Sequence, residues 1–362
     1  MKKILLAVMI LASIKTSAQS DTTKTATAAN PLTFSGYAEG YYSYDFNKPS
    51  DNNKPGFFYN HNRHNEFTVN LAFVRATYAG EKVRGTIAVG VGTYMNANYA
   101  AEPGTLKNIY EADAGIKIGK KNLWFDIGIL PSHIGFESAV SKDCGTLTRC
   151  LIAENTPFFE GGFRLNYTSD DGKWFLSGLV INGWQRITRV NGNSKMSFGT
   201  QITYKPSSSV TLNYSTFIGT DKPDSARLNR FYHNIYGIFQ VSKQFGITGG
   251  FDIGTEQKTK GSSSVNTVYS PVLIAKYSIN DKWAIAARGE YYSDENGVLI
   301  YTGTPNGFKT TGASLNIDYA PASNVVVRIE GRTLNSKDKI FIKDGTPKKN
   351  DAFFTTSVAI SF

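Results

Sequence analysis

Catalysis or metal binding in this chain would have to start from its four histidines and two cysteines. His61 and His64 lie in FFYNHNRHNEF beside Arg63 and Glu66. Paired imidazoles next to a carboxylate can hold a metal ion or relay a proton. The same residues suit a polar external loop, and that is the reading taken. His233 precedes Asn234 and would allow a lipase-like triad, but no pattern singles out its serine. H-E-x-x-H, G-x-S-x-G and the phosphate-binding glycine loop do not occur. The expectation is no enzyme, no metal and no cofactor, with a lipolytic barrel as the reading to be tested against it. Cys144 and Cys150 have five residues between them, with Gly145 allowing a turn. In an exported chain they are expected to form a disulfide, which would contribute roughly 2–3 kcal/mol against local disorder.

Charge placement is the better lead. Arg84, Glu111, Asp113, Lys117, Asp126, Arg164, Asp252, Lys276, Arg288, Glu290, Asp318, Arg328, Glu330 and Arg332 sit at alternate positions within period-two stretches. In KWAIAARGEYY, Trp283, Ile285, Ala287 and Tyr291 oppose Arg288 and Glu290. In NVVVRIEGR, Val325, Val327 and Ile329 oppose Arg328, Glu330 and Arg332. One face is apolar and the other ionic or small. Such residues can set ion selectivity around a lumen or pair across strands and support the wall.

The elements that must position them are strands. In the final stretch, AFFTTSVAISF, Phe354 and Phe362 share a face eight residues apart, roughly 26 Å along an extended chain. Tilted by about 40°, this projects to roughly 20 Å, close to the apolar band of a membrane barrel. About sixteen such strands alternate short and long links. The long links fall near 47–62, 99–106, 131–158, 184–196, 220–229, 257–266, 294–308 and 335–351. Short turns on one side and long loops on the other are what an up-and-down outer-membrane barrel has. In lipid every backbone polar group needs a partner, and closure supplies one without leaving an edge. Tyr41, Tyr42, Tyr44, Tyr94, Tyr204, Tyr277, Tyr291 and Tyr319 are expected at the interfacial girdles.

The start of the chain agrees with export. Lys2 and Lys3 precede the apolar ILLAVMILASI, and Thr16-Ser17-Ala18 offers small residues for cleavage. Residues 1–18 are read as a signal peptide, 19–30 as a flexible lead-in and 31–362 as the barrel domain. Removing Lys2, Lys3 and Lys15, with no acid in that stretch, takes the net charge from +10 to +7. Lys48, Lys54, Arg63 and the cluster Lys337, Lys339, Lys343, Lys348 and Lys349 would face solvent or the phosphates of lipopolysaccharide. Nucleic acid is excluded by this location.

The terminal Phe362, with alternating apolar positions behind it, resembles the assembly signal of outer-membrane barrels. The stretch GILPSHIGFESAVSKD followed by PFFEGGFRLNY resembles the OmpL-like β-barrel porin family. That resemblance covers nearly all of the mature chain and implies a pore-forming barrel with no assigned substrate. It also implies engagement with the barrel-assembly machinery through the last strand.

The fold expected is therefore all-β, a transmembrane antiparallel up-and-down barrel of about sixteen strands in a Gram-negative outer membrane. The function expected is passive diffusion of small hydrophilic solutes through a water-filled lumen, by a monomer or a homo-oligomer. A blocked barrel with an adhesive or envelope-structural role is the alternative. The long link 131–158 is too apolar for a free loop, with Ile134, Phe136, Val140, Leu147, Leu151 and Ile152. It is expected to fold into the lumen as a constriction, with His133, Glu137, Lys142, Asp143, Arg149 and Glu154 facing charged wall residues.

Overall fold

Alternating side chains become strands along the whole described chain. The computed structural model describes residues 31–362, so the signal-peptide and lead-in expectations fall on residues outside it. The first half forms β1 (Leu32–Asp45), β2 (Phe67–Ala79), β3 (Val83–Val91), β4 (Ile109–Lys117), β5 (Leu123–Pro131), β6 (Phe159–Thr168), β7 (Trp174–Ile181) and β8 (Ser197–Ser207). The second half adds β9 (Val210–Gly219), β10 (Arg230–Gln240), β11 (Phe245–Gln257), β12 (Val265–Ser278), β13 (Trp283–Asp294), β14 (Phe308–Ala322) and β15 (Val325–Ser336). A small hairpin, β16 (Phe341–Lys343) and β17 (Thr346–Lys348), stands apart, and β18 (Asn350–Ser361) follows it.

Leaving out β16 and β17, the strands close into one antiparallel barrel of sixteen, each paired with its sequence neighbours. The seam joins β1 to β18 in register from Tyr37↔Ser361 to Asp45↔Phe353. Beyond it, the Gly36 and Phe362 backbones exchange hydrogen bonds of 2.6 and 3.0 Å. The Phe362 ring lies where a side chain on Gly36 would be, so glycine lets the last residue lie flat on the first strand. Closure leaves no open edge in lipid.

The outer face carries Val74, Ile87, Ile127, Leu165, Ile202, Leu273, Leu315, Ile329 and Val358, all exposed. Rings flank this band on the short-turn side, where Trp174 stacks on Tyr204 at 4.2 Å and Trp283 meets Tyr319 at 4.5 Å. On the other side Tyr42, Phe67, Tyr44 and Phe354 cluster, and Tyr269 faces Tyr291. Tyr41 and Tyr94 do not belong to these girdles. Both are buried, and the Tyr41 hydroxyl meets Thr93 and accepts from the Arg63 backbone N–H.

Turns at 80–82, 118–122, 169–173, 208–209, 241–244, 279–282 and 323–324 lie on one side. The long links, including helices α1 (Thr93–Asn98) and α2 (Leu151–Glu154), emerge on the other. Inside that long-loop half, aromatic and aliphatic side chains pack as a core. Phe58, Leu151, Ile152, Ile181, Trp184, Tyr232, Phe308 and Phe353 are among its buried members.

Candidate functional site

Every ionic residue assigned to the inner face lies on the face opposite the exposed apolar side chains. Their surroundings divide them. Arg84, Arg164 and Lys276 remain 34, 25 and 36% exposed. Arg288, Glu290, Arg328, Glu330 and Arg332 are buried and hold a segment of backbone instead of facing water.

That segment is 132–158. Arg288 pairs with Glu330 at 2.7 Å and Arg332 with Glu290 at 2.6 Å. Arg288 also donates to the Thr148 carbonyl at 2.6 Å and to both threonine hydroxyls, Thr146 and Thr148. Arg332 donates to the Arg149 carbonyl. Arg328 pairs with Asp318 at 2.7 Å and donates to the carbonyls of Ser141, Cys144, Gly145 and Thr146. In return Glu330 accepts from the Thr148 N–H, Glu290 from the Leu151 N–H and Asn316 from the Leu147 N–H. An irregular segment away from water leaves backbone groups that need partners, and the wall's ions and amides provide them.

The segment's beginning is tied to the opposite wall. His133 Nδ1 lies 2.7 Å from Glu160 and Nε2 lies 2.8 Å from the Thr216 carbonyl. The His133 carbonyl accepts from Ser215, and Asn234 accepts from the Gly135 N–H. Glu39 and Tyr37 of β1 hold Ser141, and Lys142 donates to Ser361.

His133 is the one segment residue that meets a charged wall group as expected. Glu137 instead accepts from the Cys150 N–H. Arg149 turns back on its own segment, donating to the carbonyls of Ser138, Leu147 and Ala139. Glu154 accepts from the Tyr59 and Asn60 N–H groups of link 46–66, and burial raises its pKa. Asp143 stays exposed. The wall's charges are therefore spent on backbone, not on the segment's charges.

The Cys144–Cys150 disulfide is not formed; both residues are free, buried thiols. Cys144 Sγ is turned to the Ser138 carbonyl at 3.3 Å, while Cys150 leads into α2 within the apolar core. Burial pushes the Cys144 thiol up to about 11 and the Cys150 thiol well above its usual range, so neither is a ready thiolate.

The first link is not an external loop either. Phe57 and Phe58 pack on Phe308 and Phe353. His61 is buried with Nε2 3.2 Å from Glu39, and its backbone N–H donates to Asn70. Lys54 is buried too, its ammonium 3.6 Å from the Phe353 ring centre. His64 accepts from the Asp45 N–H. His233 lies on the outer face, hydrogen-bonded to the Tyr214 hydroxyl, which removes it from any inward triad. Among the described residues no group of histidine, cysteine and carboxylates could hold a metal.

Glu39, Asn70, Glu160 and Asn316 were missed as candidates. Their inward parity was readable, but their partners depend on how distant strands meet.

His133 gives a pH prediction. Burial disfavours its charge, but the Glu160 carboxylate and the Thr216 carbonyl both favour it, and the net shift is upward. With Glu160 ionised, both ring nitrogens donate only in the imidazolium form. A raised folded-state pKa adds stability that is complete below the unfolded value and lost as pH rises through the folded value. The His133 contribution to thermal stability of the detergent-folded barrel should therefore be lost as pH rises above its ordinary value of about 6.5. In His133→Gln that portion of the slope should disappear, and an unchanged slope would remove His133 from the account.

Among the cavities, two that open to water lie at opposite ends of the barrel. One, of about 780 Å³, lies at the short-turn end between β3 and β10. The other, of about 610 Å³, lies among the long links beside Asp45, Lys54 and Phe341.

A closed sixteen-strand barrel, apolar outside and ionic inside, with a long link bound to its inner wall, defines the porin class of outer-membrane proteins. The chain belongs to the family described as "Putative beta-barrel porin-2, OmpL-like", whose profile matches residues 31–362. It is thus an outer-membrane protein of the Gram-negative envelope. Among curated proteins none matches it. Among solved structures it is similar to an anion-selective porin from Comamonas acidovorans, with TM-score 0.61, 7% identity and coverage of 91% of this chain and 99% of that one. The outer-membrane channel DcaP of Acinetobacter baumannii gives TM-score 0.59 and 14% identity, covering 91 and 97%. OmpT of Vibrio cholerae in its trimer form gives 0.58 and 11%, covering 91 and 99%. At these identities the likeness is one of fold.

Proposed function

We propose that this chain is a porin for passive diffusion of small hydrophilic solutes, with segment 132–158 as its constriction and no catalytic role. The observation that carries the reading is the inner wall. Its ionic side chains hold backbone of that segment on the β12–β15 side and remain water-exposed as Arg84 and Arg164 on the β3–β6 side. Solute then passes along the segment and past the water-exposed Arg84 and Arg164, where charge and width select it. Lys337, Lys339, Lys343, Lys348 and Lys349, all exposed, would meet lipopolysaccharide phosphates. The terminal strand ending in Phe362 would engage the assembly machinery, and trimerisation like that of the OmpT trimer form would bury part of the outer face.

Liposome swelling tests this. Vesicles containing the folded barrel should swell in isotonic sugars at rates that fall as sugar size increases. Rates equal to those of empty vesicles for every solute would favour the adhesive or structural alternative.

A further inference from the structure

The cavity at the short-turn end has a one-sided chemistry. Arg84, Arg164, Lys173 and Lys205 line it, and no carboxylate does. The carboxylate that meets its two arginines, Asp126, is only 1% exposed. It already accepts from Arg84 at 2.7 and 2.6 Å, from Arg164 at 3.4 Å and from Asn166 at 2.6 Å. One negative charge is thus shared by two guanidiniums. Glu111, further up the wall, is held by Arg75 at 2.8 Å, and half-buried Asp113 stands on β4 between them. Lys173 meets Asp171 only at 3.8 Å, on the exposed turn. For Lys205 no carboxylate lies within ion-pair distance among the described residues, and its side chain is exposed.

The rest of the lining mixes neutral polar side chains, among them Asn122, Asn166 and Thr203, with apolar surface. Trp124, Phe175 and Tyr236 contribute rings. The Arg84 guanidinium lies 4.3 Å from the Trp124 ring centre, and the indole N–H donates to Asn122 at 2.9 Å, so ring and cation are held in one unit. A guanidinium fork with a spare edge suits a carboxylate, and adjacent rings suit a planar apolar body.

We propose that this chamber is a binding site for small carboxylates bearing an aromatic ring, placed at the periplasmic mouth of the lumen. The assignment rests on the diffusion-porin reading for its passage route but not for binding itself. A low-affinity site at the exit raises the local concentration of such anions and draws them past the constriction.

Equilibrium dialysis of the detergent-folded full barrel against benzoate, acetate and benzylamine tests the binding. Benzoate should bind about tenfold more tightly than acetate, and benzylamine should not bind measurably. Arg164→Gln with Lys205→Gln should weaken benzoate at least about tenfold, while Phe175→Ala should remove the preference over acetate and leave acetate unchanged. Lys258→Gln, exposed on the link after β11, should leave benzoate binding unchanged. Equal binding of benzoate and benzylamine, or unaltered benzoate binding in the Arg164/Lys205 variant, would overturn the site. In bilayers, benzoate should block chloride current at lower concentration from the turn side than from the loop side. Block at equal concentrations from both sides would also overturn it. Benzoate binding without any channel activity would sink the porin reading and leave the site standing.

Discussion

Deleting residues 138–152 is expected to raise single-channel conductance several-fold. No strand pairing passes through this segment, so the closed barrel does not depend on it. Its two ends already approach each other, because Glu137 accepts from the Cys150 N–H at 2.7 Å. A short glycine linker from Glu137 to Ala153 closes the remaining gap. The wall groups released by the deletion, Arg288, Glu290, Arg328, Glu330 and Arg332, keep their mutual ion pairs and gain water. Current noise should rise as well, since those side chains lose the backbone that fixes their rotamers. Unchanged conductance would place the segment outside the ion path and remove it as the constriction.

The second large effect is expected at Arg328. Its guanidinium is 1% exposed and holds Asp318 through two nitrogens while donating to four carbonyls of segment 132–158. Arg328→Met keeps the bulk but removes the donor of four carbonyls and leaves Asp318 with Lys276, at 2.9 Å, and Asn316 as its partners, so the cost should fall at the lower end of the roughly 3–5 kcal/mol of a broken buried pair. The loss should appear in denaturant unfolding and in faster protease cleavage near Gly145. Because the strand ladder is intact, the channel should still insert but flicker between conductance levels. Arg328→Met with Asp318→Asn should recover part of the loss, since the second change removes a buried carboxylate left with Lys276 as its one remaining cation. A double variant as damaged as the single one would mean that the carbonyl contacts, not the ion pair, dominate.

How far the fold could be read from sequence follows from what is local. Alternation within β15 or β18 depends only on neighbouring residues, so strand number, the inward parity of Arg328 or Glu330, and the sorting of turns and links were all legible. The partners were not. Arg328 and Ser141 are 187 residues apart, and nothing in either stretch says which strands face the segment. The same limit misled the reading of Cys144 and Cys150. Their spacing allows a small loop, but Cys144 is turned to Ser138 by a local backbone path and Cys150 is drawn into the apolar core. Link 46–66 was read as external because it is polar. Its Phe57 and Phe58 anchor it inward, Glu39 lies 3.2 Å from the His61 ring, and Asn70 and Glu154 accept from the backbone N–H groups of His61 and Asn60. Polarity marks exposure only where no buried polar partner exists, and the interior of this barrel is full of them.

The central claim is that water and solutes cross this barrel beside the bound segment. Planar-bilayer recording of the full folded protein in a potassium chloride gradient tests it most directly. The account predicts discrete single-channel steps whose reversal potential shows an anion preference, set by Arg84, Arg164 and Lys205 at the periplasmic mouth. A correctly folded barrel that inserts and yields no steps, or steps that prefer potassium, would contradict it.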